Sequence, residues 1–229
     1  SYRAIGNVEI IDSIRTAICG IASYDAKNEE IILNHKPRIT SEDRIIKGDQ
    51  IKLNYSDEVL ERIFIPKNAF ITSASVGYNQ LNIDSSNTLI SFEDRMSSKV
   101  LNGFFVNGSL DSLRLIGMAS TTYHLFEDSL YKGKNLASGD TIIMRFDEKD
   151  LDDIVVDGGS QGEYVPNKKT NDSDFPLIYS ADRIDYFLKT ETTKLIGNAK
   201  AKHENTDLKA GFIEVNWPSR ILNAFPKQP

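Results

Sequence analysis

An all-β domain of stacked β-hairpins is the fold this sequence predicts, and three observations carry that prediction. Short segments rich in Ile, Tyr and Phe recur about every ten residues, the spacing of sandwiches, barrels and β-solenoids. Turn-forming residues separate them. One hairpin pattern then repeats along the chain, the signature of an array whose units bury a shared face.

The clearest strand signals are Ile31-Ile32-Leu33, Ile51–Tyr55, Thr141–Phe146 and Arg183–Leu188, several of which alternate apolar with polar residues. Asp25-Ala26-Lys27-Asn28, Lys47-Gly48-Asp49, Ser138-Gly139-Asp140, Asp157-Gly158-Gly159 and Thr190-Glu191-Thr192 punctuate the chain as turns. A helical period shows only over Ser85 to Val100, where Phe92, Met96 and Val100 fall four apart; the Ser and Asn content there suits a loop as well.

In the repeat, a small residue and an acid open a strand, a polar turn follows, and a second strand ends in a small-residue patch. Gly48-Asp49 leads through Asp57-Glu58 to Asn68-Ala69, and Gly139-Asp140 leads to Asp157-Gly158-Gly159. Ala181-Asp182 leads through Thr190-Glu191 to Gly197-Asn198-Ala199, and a further copy runs from Lys209-Ala210-Gly211 to Asn223-Ala224. Gly6-Asn7-Val8-Glu9-Ile10 has the form of the tail of a copy. A lone hairpin is marginal in water, so such units must stack. The small residues permit a turn or bulge where the chain changes course. The two ends of a stack are open strand edges, which invite pairing. The array spans residues 1–229, one large domain or two sub-units, 1–108 and 109–229.

Composition narrows the function. The chain is 40% hydrophobic and 26% charged, enough for a core and too apolar for disorder. The formal charge is -6 with acids and bases interleaved, which disfavours nucleic acid, whose phosphates demand a concentrated basic patch. No apolar run is long enough to span a bilayer as a helix. No signal peptide is evident, and the opening at Ser1 reads as a mature or trimmed chain. Cys19 is the single cysteine; its Ile18-Cys19-Gly20-Ile21 setting reads as a buried small hydrophobe rather than a nucleophile.

Residues Ala181 to Trp217 resemble the OstA-like repeats of lipopolysaccharide transport proteins, which form a periplasmic bridge protein and the N-terminal domain of an outer-membrane assembly protein. The matching pieces are Ala181-Asp182-Arg183-Ile184-Asp185-Tyr186, Leu195-Ile196-Gly197-Asn198-Ala199 and Leu208-Lys209-Ala210-Gly211-Phe212-Ile213. An earlier match joins Gly20–Asp25, Leu33–Pro37 and Gly48–Ile51, and a weaker one runs from Leu115-Ile116-Gly117-Met118-Ala119 to Gly159. The resemblance implies a folded-over, V-shaped β-jellyroll with an apolar groove for the acyl chains of lipid A. It also implies a place in the periplasm or on the periplasmic face of the outer membrane. Its partners would be lipopolysaccharide or a related glycolipid, and other OstA-like proteins through edge-to-edge strand pairing.

Strand alternation independently puts Ile51, Leu53 and Tyr55 on one face, and likewise Ile142, Met144 and Phe146. It does the same for Ile184, Tyr186 and Leu188, and for Ile213, Val215 and Trp217. These residues either fill an ordinary core or line the groove. Each acyl methylene buried there would contribute about 0.8 kcal/mol. Lys47, Arg145 and Arg183 near strand ends are solvated cations or local contacts for lipid phosphates.

Chemistry-bearing constellations are sparse. His35, His124 and His203 are far apart with no second His or Cys at ligand spacing, so no metal is indicated. No Gly-x-x-x-x-Gly-Lys loop or other cofactor motif is assigned. Asp147-Glu148-Lys149-Asp150-Leu151-Asp152-Asp153 is the densest acidic stretch, and it lacks the glycine and spacing of a calcium loop, so it reads as a solvated turn. Nothing selects a pair of carboxylates for glycoside hydrolysis. The expectation is a non-enzymatic lipopolysaccharide carrier. The alternative is a structural or protein-interaction scaffold with a filled core and no lipid.

Overall fold

The computed structural model describes residues 1–12, 15–41, 44–78, 89–147, 150–167, 175–219 and 221–226. Every regular element among them is a strand. In chain order these are β1 Tyr2–Ile11, β2 Arg15–Asp25, β3 Glu30–Asn34, β4 Arg38–Ser41, β5 Arg44–Lys47 and β6 Gln50–Ser56. Then come β7 Val59–Ile65, β8 Ala69–Tyr78, β9 Leu89–Ser98, β10 Val100–Val106, β11 Ser109–Glu127 and β12 Leu130–Asp147. The last are β13 Asp150–Pro166, β14 Leu177–Phe187, β15 Thr192–His203, β16 Thr206–Asn216 and β17 Ile221–Phe225. They join one mixed 17-stranded sheet, in which β8 and β12 meet in parallel at Tyr78 and Leu130. Neither the helix nor the loop that the sequence allows over Ser85 to Val100 is found in its described part, 89–100. β9 and β10 occupy its described part, because Phe92 is engaged by aromatic neighbours across the sheet rather than by Met96 one helical turn on.

Two compact units share these strands. The first comprises residues 1–72, 96–119 and 141–154; the second comprises 73–95, 120–140 and 155–229. In the first, the antiparallel ladder β3–β6–β7–β10–β11 sets Leu33 opposite Ile51, and Ile65 opposite Leu101, which in turn faces Leu115. All five side chains are buried, and this row is the floor of the core. In the second, β14–β15–β16 aligns Ile184, Leu195 and Ile213 in a buried row.

The repeated sequence pattern has a structural cause. Where strands change course, a pair of residues takes left-handed backbone angles and seats against a small residue or an acid on the neighbouring strand. In the first unit, β2 pairs with β3 and then with β4, and the switch is made by His35 and Lys36 at φ 63 and 58. Gly20 lies against that corner: a Cβ there would sit 2.8 Å from the His35 Cβ, and the Gly20 amide donates to the His35 carbonyl. The β1–β2 ladder shifts register across Gly6 and Asn7, opposite the same Gly20. Asp49 receives Asn68 Nδ2 at 2.9 Å, with Asn68 at φ 55. In the second unit, Asn198 Nδ2 donates to both oxygens of Asp182, and Gly197 and Asn198 stand at φ 75 and 47. Gly158 packs its Cα against Asp140 in the same way. Tight hairpins use the same backbone region: Asp57-Glu58, Asn107-Gly108 and Asp128-Ser129 each have two positive φ values, the geometry of two-residue loops matched to strand twist.

Two of these corners make a comparative test. A Cβ on Gly197 would stand 2.3 Å from Asp182 Oδ2, on a carboxylate held in place by Asn198, whereas a Cβ on Gly159 would meet nothing within 4 Å. Both residues have positive φ. Gly159→Ala is expected to cost about 1 kcal/mol from backbone strain alone and Gly197→Ala about 2–5 kcal/mol from strain plus overpacking. Urea denaturation of the two variants measures the difference; equal losses would mean that the acid-to-corner contact is not a tight fit.

Candidate functional site

Ten of the twelve alternating residues lie in strands, whereas Leu188 and Trp217, expected in strands, fall in the turns just after β14 and β16, and burial falls along each set toward the turns. In the first unit, Ile51 and Ile142 are fully buried, Leu53 and Met144 are nearly so, and Tyr55 and Phe146 are half-buried. In the second unit, Ile184 and Ile213 are fully buried, Tyr186 is 7% exposed, Val215 and Leu188 are half-buried, and Trp217 is 37% exposed. The inner face is therefore closed near the corners and opens toward the hairpin turns. The register explains it. Beyond the buried Ile184–Leu195–Ile213 row lies a row of Tyr186, Thr193, Val215 and Leu222, in which cover falls away toward the exposed edge strand β17.

At the opening of the second unit, Trp217 donates its indole N–H to Thr193 Oγ1 at 2.9 Å, and its ring lies 6.0 Å from Tyr164. Tyr164 in turn donates its hydroxyl to the Lys132 carbonyl. Both rings thus anchor their polar ends in protein and leave apolar faces at the opening, the arrangement suited to an apolar guest.

Deeper in this unit the inner face carries a polar cluster that alternation alone does not reveal. The Tyr179 hydroxyl donates to Asn135 Oδ1 at 2.8 Å and lies 3.1 Å from the Tyr186 hydroxyl. Burial pushes Tyr179 up to about 12 and Tyr186 well above the ordinary tyrosine value. A buried hydroxyl with partners is tolerated, whereas a buried phenolate is not.

The cations at strand ends are mostly engaged. Arg145 Nη1 lies 2.5 Å from Asp153, and Arg183 Nε lies 2.7 Å from Asp185. Lys47 remains exposed. Cys19 is buried, and desolvation raises its thiol, the opposite of nucleophile activation. The Glu148-Lys149 part of the acidic stretch lies outside the described residues.

Two arrangements look like nucleophile machinery and are not built as such. Gly158-Gly159-Ser160-Gln161-Gly162 has the spacing of a nucleophile elbow. Ser160 is fully buried within β13, and its hydroxyl donates to the Val156 carbonyl at 2.8 Å and approaches the Asp182 carbonyl at 3.2 Å. Ser75, Asp94 and His124 also come together: Ser75 Oγ donates to Asp94 Oδ2 at 2.7 Å, and His124 Nδ1 lies 2.7 Å from Oδ1. The hydroxyl is thus tied to the carboxylate rather than to the imidazole that would have to take its proton. Phe92 and Tyr131 pack against the His124 ring, so the group is a satisfied polar core.

The tyrosine pair yields a pH prediction. Burial holds both phenols above the ordinary tyrosine value of about 10, so the neutral form favours folding. The stability they contribute is complete below pH 10 and is lost as pH rises through about 12. Expected is cooperative alkaline unfolding in that window, with on the order of 2–3 kcal/mol lost through Tyr179. Tyr186→Phe, which leaves Tyr179 bonded to Asn135, should reduce the alkaline loss, as followed by circular dichroism and tyrosinate absorbance.

No protein-family model matches the chain, and no curated protein matches it. The crystal structure of LptH from Pseudomonas aeruginosa is described as the LptA-homologous periplasmic component of a lipopolysaccharide transport device. It is similar over 58% of this chain and 82% of its own, at 16% identity and a TM-score of 0.45.

Proposed function

We propose that this chain is a periplasmic carrier for lipopolysaccharide or a related glycolipid, holding acyl chains against the open part of its inner apolar face. The observation that carries the reading is the graded inner row, buried at Ile184 and Ile213 and opening at Leu188, Val215 and Trp217, with the same gradient from Ile51 to Tyr55 and from Ile142 to Phe146. The resemblance of Ala181–Trp217 to OstA-like repeats points the same way. An acyl chain lying along half-exposed apolar side chains gains about 0.8 kcal/mol per methylene removed from water. An opening rather than a sealed pocket keeps that binding reversible, as transport demands.

On the same reading, the edges pair with other OstA-like chains. β1 pairs with β2 and β17 with β16, and both strands are exposed along nearly their whole length. Tyr2, Ile5 and Ile11 on β1, and Ile221, Leu222 and Phe225 on β17, are apolar and uncovered. The scaffold reading is favoured by a different observation, the complete burial of the deep rows, which leaves no room for a guest beneath them.

A photo-crosslinking scan separates the two. A crosslinking residue at Tyr55, Phe146, Leu188 and Trp217, with Arg145 and Glu214 as controls, is expected to form lipopolysaccharide adducts at the first set only. Adducts at neither set would leave the scaffold. The intrinsic fluorescence of Trp217, the only tryptophan, should also shift to shorter wavelength on addition of lipopolysaccharide and stay unmoved by its delipidated core sugar.

A further inference from the structure

A second concave surface lies on the outer side of the first unit, a cleft of about 720 Å³ on the faces of β3, β6, β7 and β10. That is within the range of about 300–1,000 Å³ typical of small-ligand sites. The register assembles it. Glu30, Asn54, Arg62 and Phe104 form one row across the four strands, and Lys52, Phe64 and Asn102 form the next. The inner apolar rows lie on the opposite face of the same strands, so this surface is separate from the inner one.

Arg62 is the centre. Its Cζ stands 4.8 Å from the Phe64 ring centroid and 5.7 Å from that of Phe104, and its Nε donates to Asn102 Oδ1 at 3.2 Å, with Nη2 donating to the same oxygen. Glu30 ties down the other end: its Oε1 accepts Asn54 Nδ2 at 3.3 Å and lies 3.9 Å from Lys52 Nζ. The polar groups are thus fixed before any ligand arrives. Phe104 is 40% exposed and Val106 is 57% exposed, which leaves apolar surface uncovered at one side of the fixed polar groups.

The chemistry of the lining selects a ligand. Its charged side chains are Glu30 and Glu61 against Lys52 and Arg62, so they cancel. An anion meets the carboxylates, a cation meets the ammonium and guanidinium, and an acyl chain would strip water from all four. A sugar fits all of them. Its C–H face lies on the electron-rich face of a phenyl ring. Its hydroxyls donate to the carboxylates, accept from Arg62 and Lys52, and do both with the Asn54 amide. We infer that this outer cleft is a binding site for a neutral saccharide chain, with Phe104 as the stacking platform and Asn54 and Arg62 as its hydrogen-bonding groups. The inference does not depend on the acyl-chain reading, and a lipid-free probe tests it alone.

The test is an NMR titration of the isotope-labelled full chain with maltotetraose, cellotetraose and chitotetraose. At least one probe is expected to bind with a Kd of about 0.1–5 mM and to shift amides around Asn54, Arg62 and Phe104. Phe104→Ala at an exposed site and Asn54→Ala at a half-buried one should weaken that binding about tenfold or more, while Phe187→Ala on the second unit leaves it unchanged. No shift with any probe at about 20 mM, shifts that persist in Phe104→Ala, or a stronger response to benzoate or decanoate would each overturn the assignment.

Discussion

The structure depends on its left-handed corners. Strands of this sheet change course where one or two residues take positive φ and a neighbour makes room for them. For most side chains that conformation costs roughly 1–2 kcal/mol per residue, so it must be stabilised locally. Here the stabilisation is a carboxylate or a missing side chain on the facing strand. Asp182 holds Asn198, Asp49 holds Asn68, and Gly20 leaves space for His35. Once the corners are placed, the inward register of each strand is fixed, because a slip of one residue would send Ile184 and Ile213 to the outside. The buried rows and the outer cleft both follow from that choice.

This explains which features were legible in the sequence. The all-β class was legible because the corners demand Gly, Asn and Asp at fixed places, and those residues are rare enough in strands to stand out. The burial of Ile51, Ile142, Ile184 and Ile213 was legible because strand alternation has a period of two. The helical spacing of Phe92, Met96 and Val100 misled because a spacing of four is also a multiple of two, and in strands it places residues on one face just as it does in a helix. What stayed hidden depends on pairing between distant strands. The Tyr179–Asn135 bond joins β14 to β12, and the Arg62–Asn102 bond joins β7 to β10. No local pattern encodes such a bond, since either partner alone is an ordinary polar strand residue. Ser160 shows the reverse case: the local spacing resembles a catalytic motif, and only the fold reveals that its hydroxyl serves two backbone carbonyls.

The gradient along the inner rows also sets how a guest is held. Making space beneath Ile51, Ile142, Ile184 or Ile213 would mean displacing fully buried side chains, at a cost of about 2–5 kcal/mol for each one lost from the packing. No acyl chain compensates that at about 0.8 kcal/mol per methylene until several carbons are buried. The half-buried side chains nearer the turns ask for no such displacement, since their apolar surface already faces water. On the proposed carrier reading, a guest would lie along the turn-ward part of the inner face, with the deep rows as its rigid floor. The tyrosine pair strengthens that division. Tyr179 and Tyr186 spend their hydroxyls on each other and on Asn135, which pins the floor polar-to-polar and resists slippage of the apolar rows above it. Packing and the proposed binding would thus fall to successive residues along the chain, and the corners that fix the first leave the second open.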